Sequence, residues 1–353
     1  MQPPPDLYPL TFQPIYKQKV WGGRSLAKLG RDLPGDASVG IGESWELADL
    51  SQTSVSGGGG AAEHSVVANG PLAGQTIRQL IETYGERLLG KDVKTADDGG
   101  FPLLIKFLDA KENLSVQVHP SNEYAAAHPG AHLKSEAWYI VDAEPGAVIY
   151  KGLTPGTTPE QLRAAIETNT DDAVVPLLNA LPAKIGDCHY LPSGTLHALG
   201  AGVMVAEVQT PSDTTFRVYD WGRSQRELHV EQAMACIDFA TKQNAANKRG
   251  RESFSGDSKK TPDPFVSICV AACAFFQIES IGLSESASTL LQCEAAEVWL
   301  VIEGSLDLRA EGRPPVSLGA GTTALIPAAC GPITAACDAP VSILRVTLAR
   351  ADR

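Results

Sequence analysis

Four side chains that can bind one divalent metal ion lie in three separate segments of the chain, and their spacing constrains the fold more than any other feature. Gln117 and His119 alternate along one predicted strand and so face the same way, and Glu136 lies on a second predicted strand. His197 lies further along, in a segment rich in turn residues. Two imidazoles, a carboxylate and an amide oxygen suit Zn²⁺, and three strong ligands with a weak fourth leave room for substrate. The chain must therefore fold so that these segments meet.

The sequence also contains an internal repeat. The segment 297–302 (EVWLVI) matches 136–141 (EAWYIV), and each copy is followed by a glycine and a proline with five residues between them, at 186–192 and 321–327. The repeat predicts two β-barrels of similar design. All 7 histidines lie at or before position 229, so the second copy lacks histidine ligands. We therefore predict that the second barrel binds no metal and that Glu297 is an ordinary strand residue.

The remaining pattern predicts a mainly β protein with one small helical excursion. Its 353 residues exceed the usual length of one domain, and 33 glycines with 24 prolines indicate many turns. We predict N-terminal strands and a metal-binding barrel over 1–240, with a helical insertion at about 158–181 that begins at a Thr-Pro-Glu helix start. A polar, charged linker is predicted over 241–263, and the second barrel over 264–353.

Charge and composition argue against several classes of partner. A net charge of −12 disfavours nucleic acid or an anionic membrane surface as the main partner, so an anionic substrate needs a local basic pocket. The 7 cysteines form no CxxC pair, and the first residues have neither the basic start nor the apolar core of a signal peptide. No apolar stretch of about 20 residues follows. We therefore predict a reduced, cytoplasmic setting, and the sequence leaves the oligomeric state open.

Six segments together resemble mannose-6-phosphate isomerases of the zinc-dependent cupin type, particularly their short bacterial branch. They are VWGGRSLAKLG (20–30), GESWEL (42–47), FPLLIKFLDAKENLSVQVHP (101–120), KSEAWY (134–139), GTLHALG (194–200) and QTPSDTTFRVYDWGR (209–223). The resemblance extends from about residue 8 to about residue 240 and more loosely beyond. It implies two cupin (jelly-roll) β-barrels and one Zn²⁺ per chain.

The resemblance also implies roles for individual residues. The zinc ligands of the family match four positions: Gln117, His119, Glu136 and His197. Arg217 and Lys134 match residues placed in catalysis, and Ser115 and Lys106 match pocket positions near the phosphate. Arg217 offers a fixed fork of donors for phosphate or an enediolate, and Lys134 near a dication can have a lowered pKa and act as a base. Leu133 stands where larger family members often have a histidine, so the residue that moves the proton stays open.

The implied reaction is the interconversion of mannose 6-phosphate and fructose 6-phosphate. It moves a proton between C2 and C1 through an enediolate, and a metal ion acting as a Lewis acid can stabilise the oxyanion. The chain has neither a dinucleotide fingerprint nor a phosphate loop. Two alternatives stay open. The first is a related metal cupin that acts on another sugar or sugar phosphate, or that works as an oxygenase. The second is a non-catalytic sugar-binding bicupin. Gln117 as a fourth ligand and the basic residues nearby favour the isomerase.

Overall fold

The computed structural model describes residues 5–54, 61–128, 130–239 and 265–350, so the predicted linker over 241–263 lies outside the described residues. Most of the described regular structure is β. Fourteen described strands precede the linker: β1 (Leu10–Thr11), β2 (Ile15–Gly23), β3 (Ile41–Leu47), β4 (Asp49–Leu50), β5 (Glu63–His64), β6 (Leu104–Ala110), β7 (Val116–Val118), β8 (Glu136–Ala143), β9 (Val148–Leu153), β10 (Leu178–Pro182), β11 (Cys188–Leu191), β12 (His197–Leu199), β13 (Val203–Gln209) and β14 (Phe216–Tyr219). Nine described strands follow it: β15 (Phe265–Ala272), β16 (Phe276–Leu283), β17 (Ser288–Leu291), β18 (Glu297–Glu303), β19 (Ser305–Ala310), β20 (Val316–Gly319), β21 (Thr323–Ile326), β22 (Ile333–Ala336) and β23 (Val341–Leu348).

The helices are short. Six α-helices occur in the described ranges: α1 (Ile77–Tyr84), α2 (Glu86–Leu89), α3 (Asn122–Ala127), α4 (Pro159–Thr168), α5 (Asp171–Val174) and α6 (Val230–Cys236). Three 3₁₀ turns accompany them: Ser25–Leu29, Gly70–Leu72 and Val175–Leu177. None of these described helices has the length and apolar character needed to cross a membrane.

The first barrel consists of two facing sheets. One has the strand order β11–β8–β13–β6–β2–β3 and the other the order β10–β9–β12–β7–β14. Strand alternation sends Trp138 of β8 inward, where it shares an apolar core with Leu199 of β12. Its neighbours Ala137 and Tyr139 point outward into a different cluster. Glu136, two residues before Trp138, therefore faces the interior of the barrel.

The second barrel repeats this design, as the sequence repeat predicts. Its sheets, β1–β21–β18–β23–β16–β15 and β17–β22–β19–β20, enclose a core around Trp299. Strand β18 lies between β21 and β23 as β8 lies between β11 and β13. Glu297 opposes Ile326 in β21, just as Glu136 opposes Leu191 in β11. The second barrel is therefore a structural copy of the first.

The two barrels pack back to back through their six-stranded sheets. The outward faces share one apolar cluster, which contains Tyr139 and Ala206 from the first sheet and Val298 and Leu344 from the second. Residues of α1 and α2, such as Leu80, belong to the same cluster. Apolar surface buried in this way stabilises the contact between the sheets. The second barrel thus supports the back of the strand that carries Glu136.

The helical insertion begins as predicted but ends earlier. Thr158 caps α4 with a capping box, and the helix stops at Asn169, whose φ of 55° is left-handed. The last helical turn ends at Leu177, so the predicted end near 181 is wrong. Leu178–Pro182 instead forms β10, which pairs with β9 at the edge of its sheet. A proline is tolerated there because an edge strand leaves some of its N–H groups unused.

The predicted unit over 1–240 contributes one strand to the second barrel. Strand β1, near the start of the described chain, pairs with β21 and so completes the six-stranded sheet of the second barrel. The division into units at 1–240 and 264–353 stays a prediction, and β1 belongs to the first unit in sequence but to a sheet of the second barrel.

Candidate metal centre and active site

The structure brings three of the predicted ligands together inside the first barrel. His119 follows β7, Glu136 begins β8, and His197 begins β12, which pairs with β7. One oxygen of Glu136 lies 3.4 Å from His119 Nε2, and the other lies 3.2 Å from His197 Nε2. All three side chains are buried, and their ligand atoms lie within 4.8 Å of one another. In the described part of the chain, this is the single group of histidine, cysteine, aspartate and glutamate side chains with the spacing of a metal site.

Backbone carbonyl groups fix the orientation of both imidazole rings. Nδ1 of His119 lies 3.0 Å from the carbonyl oxygen of Thr214, and Nδ1 of His197 lies 2.8 Å from that of Thr195. A ring nitrogen that faces a carbonyl oxygen donates to it, so each neutral ring turns an unprotonated Nε2 toward Glu136. Burial lowers the pKa of His119 to about 3, so this ring is neutral near pH 7. Both rings are thereby prepared to act as ligands.

The atoms of this cluster fit a bound cation. His119 Nε2 and Glu136 Oε1 are buried without a hydrogen-bond partner. The other oxygen, Glu136 Oε2, lies 2.8 Å from the ammonium of Lys134. Buried polar atoms without partners are destabilising, and two imidazole nitrogens with a carboxylate are a donor set that Zn²⁺ prefers. These residues therefore fit a zinc ion.

Gln117 lies beside the cluster but presents its nitrogen to it. Its Nε2 is 3.4 Å from His197 Nε2, and its Oε1 accepts a hydrogen bond from Ser115 Oγ at 3.1 Å. Register explains this position, since Gln117 opposes His197 in β12 and Arg217 in β14. An amide binds a metal through its oxygen. The predicted fourth ligand is therefore adjacent to the site without being oriented as a ligand.

Lys134 enters the site as a cation. Burial acts to lower its pKa, but the carboxylates of Glu136 and Glu207 outweigh burial, and the pKa of Lys134 is raised. Burial likewise acts to raise the pKa of Glu136, but the neighbouring ammonium of Lys134 holds it well below its ordinary value. In this arrangement Lys134 is a charged donor at neutral pH, and the lowering of its pKa by a bound dication stays a prediction.

Arg217 reaches the same region from β14. Its Nε donates to Ser115 Oγ at 3.2 Å, and its Nη1 donates to the carbonyl oxygen of Glu227 at 2.8 Å. The residue is 7% exposed, and among the described residues no carboxylate forms an ion pair with it. A buried guanidinium with neutral partners can still bind an anion. Ser115, which was expected near the phosphate, links Arg217 to Gln117.

Lys106 lies between carboxylates. Its Nζ is 3.3 Å from Glu207 Oε1 and 3.8 Å from Glu43 Oε2, and it lies 5.1 Å from the centre of the Trp45 ring. Lys19 binds Glu43 as well, at 3.1 Å. Burial acts to raise the pKa of Glu43, but Lys19 and Lys106 lower it to about 2. The charge of Lys106 is thus balanced by carboxylates of the protein, and its role at the phosphate stays a prediction.

Two cavities meet at a pair of arginines. A cavity of about 330 Å³ is lined by most of the charged and amide side chains of this region: Lys19, Glu43, Lys106, Gln117, Lys134, Glu207, Asp213, Arg217 and Arg226. A neighbouring cavity of about 570 Å³ shares Arg217 and Arg226 with it and is also lined by His132 and His229. The two cavities are therefore neighbours, and a ligand in either one can contact these arginines.

Comparisons with known proteins agree with this site. Residues 10–154 match the family model "Phosphomannose isomerase type I, catalytic domain". Mannose-6-phosphate isomerase ManA of Bacillus subtilis (strain 168) is 36% identical over 302 residues, which cover 84% of this chain and 86% of that protein. The chain belongs to the type I phosphomannose isomerases.

Solved structures extend this result to the whole fold of this phosphomannose isomerase. The crystal structure of the mannose 6-phosphate isomerase from Bacillus subtilis matches with a TM-score of 0.78 and 29% identity, over 97% of this chain and 100% of that one. A mannose 6-phosphate isomerase bound with zinc and yttrium has the same fold, with a TM-score of 0.68 and 18% identity over 97% of this chain and 100% of that one. The predicted family and mainly β cupin fold are confirmed.

Several residues of this phosphomannose isomerase site are not singled out by the sequence patterns. Arg226 lies three residues after the resembling segment that ends at Arg223, and both arginines bind the buried Asp220. Lys19 directly precedes another such segment. For both Arg226 and Lys19, the sequence signal was a position next to a segment that resembles the family. The backbone carbonyl groups that orient the histidines carry no sequence signal, because any residue supplies a carbonyl.

Proposed function

We propose that the protein interconverts mannose 6-phosphate and fructose 6-phosphate and holds one Zn²⁺ per chain. Its relatives support this activity, since ManA of Bacillus subtilis is a mannose-6-phosphate isomerase. A protein with the same fold was solved with zinc and yttrium, which supports the choice of metal. The observation that carries the proposal is the buried cluster of His119, Glu136 and His197 next to a cavity lined by Lys134 and Arg217.

The arrangement suits the chemistry of an aldose–ketose isomerase. Negative charge develops on the sugar oxygens at C1 and C2 as the proton moves between these carbons. Zinc held by the two histidines and Glu136, with Gln117 beside them, would act as a Lewis acid toward these oxygens. The ammonium of Lys134, fixed next to Glu136, can donate to a sugar oxygen there. The guanidinium of Arg217 supplies a second, planar donor from the neighbouring strand.

The phosphate of the substrate is best accommodated on the arginine side of the cavity. Each lysine of the cavity has a carboxylate within 3.3 Å, and these are Lys19, Lys106 and Lys134. Arg217 has a hydroxyl and a carbonyl as partners instead. Arg226 shares the carboxylate of Asp220 with Arg223, and Arg223 also pairs with the exposed Glu112. A phosphate dianion between Arg217 and Arg226 would meet the guanidinium of Arg217, which has no carboxylate partner among the described residues.

The test is the formation of fructose 6-phosphate from mannose 6-phosphate in a coupled assay, with free mannose as the second substrate. We expect kcat/KM for the phosphorylated sugar to be at least about a hundredfold higher, because binding of the remote phosphate orients the reacting carbons. Equal values would contradict the phosphosugar proposal and favour an isomerase of free sugars on the same scaffold. Turnover of neither sugar by the zinc-loaded protein would favour a sugar-binding protein without this activity.

A further inference from the structure

Ser115 joins the proposed catalytic arginine to the metal cluster through a directed chain of hydrogen bonds. Arg217 Nε donates to Ser115 Oγ at 3.2 Å, and Ser115 Oγ donates to Gln117 Oε1 at 3.1 Å. The amide nitrogen of Gln117 then lies 3.4 Å from His197 Nε2. Ser115 is 1% exposed and also lines the smaller cavity. Its hydroxyl hydrogen thus has two possible directions, toward Gln117 or into the cavity.

Strand register places these four side chains in one row. Gln117 of β7 opposes Arg217 of β14 on one side and His197 of β12 on the other. Ser115 lies two residues before Gln117 along the chain, and residues two apart in an extended segment share a face. The row therefore runs from the arginine through the serine and the amide to a metal-cluster histidine.

The chemistry of the amide limits how this row can be arranged. Gln117 has an acceptor oxygen at one end and a donor nitrogen at the other, and its oxygen faces Ser115 in this structure. If the amide oxygen is to act as a ligand, it must exchange places with the nitrogen, which then faces Ser115. A serine hydroxyl has one hydrogen and two lone pairs. Ser115 can then accept from Gln117 and Arg217 together, and its own hydrogen is released.

We propose that Ser115 is a positioning residue that couples the orientation of the Gln117 amide to substrate binding. With the amide oxygen turned toward the metal cluster, Ser115 accepts from the amide nitrogen and donates its hydrogen into the cavity, to an oxygen of the phosphosugar. With the oxygen turned toward Ser115, that hydrogen is used within the protein. The zinc ion and the substrate rest on the proposed function, whereas the coupling between Ser115 and zinc affinity does not depend on the isomerase activity.

Zinc affinity measured by chelator competition tests the coupling without any turnover. In Ser115→Ala the amide nitrogen of Gln117 loses its acceptor in the ligand orientation, so we expect zinc to bind about tenfold more weakly. Ser115→Thr keeps the hydroxyl and should bind zinc within about threefold of wild type. Ser65→Ala is the matched control, because it removes another buried hydroxyl, one that accepts from the Ala48 amide, and should leave zinc affinity unchanged.

The same substitution in a Gln117→Glu background separates an effect on the orientation of the amide from a general disturbance of the site. The carboxylate of a Gln117→Glu variant has oxygen at both ends and needs no orientation, so adding Ser115→Ala there should change zinc affinity by less than about threefold. Wild-type zinc affinity in Ser115→Ala, or a full loss that persists in the Gln117→Glu background, would overturn the proposal. Thermal unfolding of each variant identifies any that fail to fold. If Ser115→Ala fails to fold, the zinc affinity of Ser115→Thr is compared with that of wild type instead.

Kinetics with saturating zinc tests the substrate side of the coupling. Ser115→Ala should still lose kcat/KM for mannose 6-phosphate when every site is filled, and Ser115→Thr should restore it. Full activity of zinc-saturated Ser115→Ala would overturn the donation to substrate. If the wild-type protein turns over no mannose 6-phosphate while the zinc pattern holds, the proposed isomerase activity fails and the coupling stands.

Discussion

Replacing Arg217 by lysine separates geometry from charge at the proposed catalytic arginine. Two hydrogen bonds hold the guanidinium, from Nε to Ser115 Oγ at 3.2 Å and from Nη1 to the Glu227 carbonyl oxygen at 2.8 Å. They orient the planar group at the point where both cavities meet. A lysine keeps the positive charge, but its single nitrogen cannot keep both anchors and also present a planar pair of donors to an anion.

The expected effect follows from the loss of one charge-assisted hydrogen bond in the transition state. Such a bond contributes roughly 1.5–3 kcal/mol. A loss of ~2.7 kcal/mol corresponds to about a hundredfold decrease in kcat/KM. We expect this decrease for Arg217→Lys in the coupled assay with mannose 6-phosphate, with zinc content unchanged by metal analysis, because Arg217 contacts none of the three clustered ligands.

The matched control is Arg345→Lys. Arg345 pairs with Glu279 in the second barrel and should tolerate the change with kcat/KM within about twofold of wild type. An Arg217→Lys enzyme within threefold of wild type would refute the geometric role of the guanidinium. Loss of zinc together with activity would refute the expectation that Arg217 acts in catalysis without holding the metal ligands.

Three further changes test the rest of the site. Glu136→Gln should remove most zinc and activity, whereas Glu297→Gln should leave both near wild type in metal analysis and the coupled assay. Arg226→Ala should raise KM for mannose 6-phosphate at least about tenfold with a smaller effect on kcat. The pKa of Glu43 is lowered from 4.5 to about 2, so its contribution to stability is present above pH 4.5 and is lost as pH falls through 2. Glu43→Gln should therefore destabilise the protein less near pH 3 than near pH 7, by about 2 kcal/mol in urea unfolding. Zinc loss from Glu297→Gln would contradict the metal-free second barrel. An unchanged KM of Arg226→Ala would contradict the phosphate site, and equal destabilisation of Glu43→Gln at both pH values would contradict the lowered pKa of Glu43.

Strand alternation made the metal cluster predictable from sequence. Residues two apart on a strand share a face, so the spacing from Gln117 to His119 already implied a common direction. The repeat around Glu136 and Glu297 likewise predicted two barrels, because the same pattern of apolar and turn residues folds in the same way twice. Both predictions depend on local periodicity, which sequence carries directly.

Tertiary pairing explains what the sequence did not predict. The sequence places Lys106 at the phosphate but does not show that the register of β6 with β13 sets Glu207 directly opposite it. The segment over 178–182 has a composition compatible with a helix, yet pairing with β9 makes it a strand. In each case the deciding partner comes from a distant part of the chain.

Zinc titration of the chelator-treated protein, with mannose 6-phosphate as substrate, tests the central claim most directly. The chelator should abolish formation of fructose 6-phosphate, and added Zn²⁺ should restore it in proportion up to one ion per chain. His119→Ala should not recover at the same zinc concentration, because it lacks one of the three clustered ligands. Full activity of the chelated protein, or a zinc-loaded protein that forms no fructose 6-phosphate, would contradict the assignment of this cluster as the catalytic metal site.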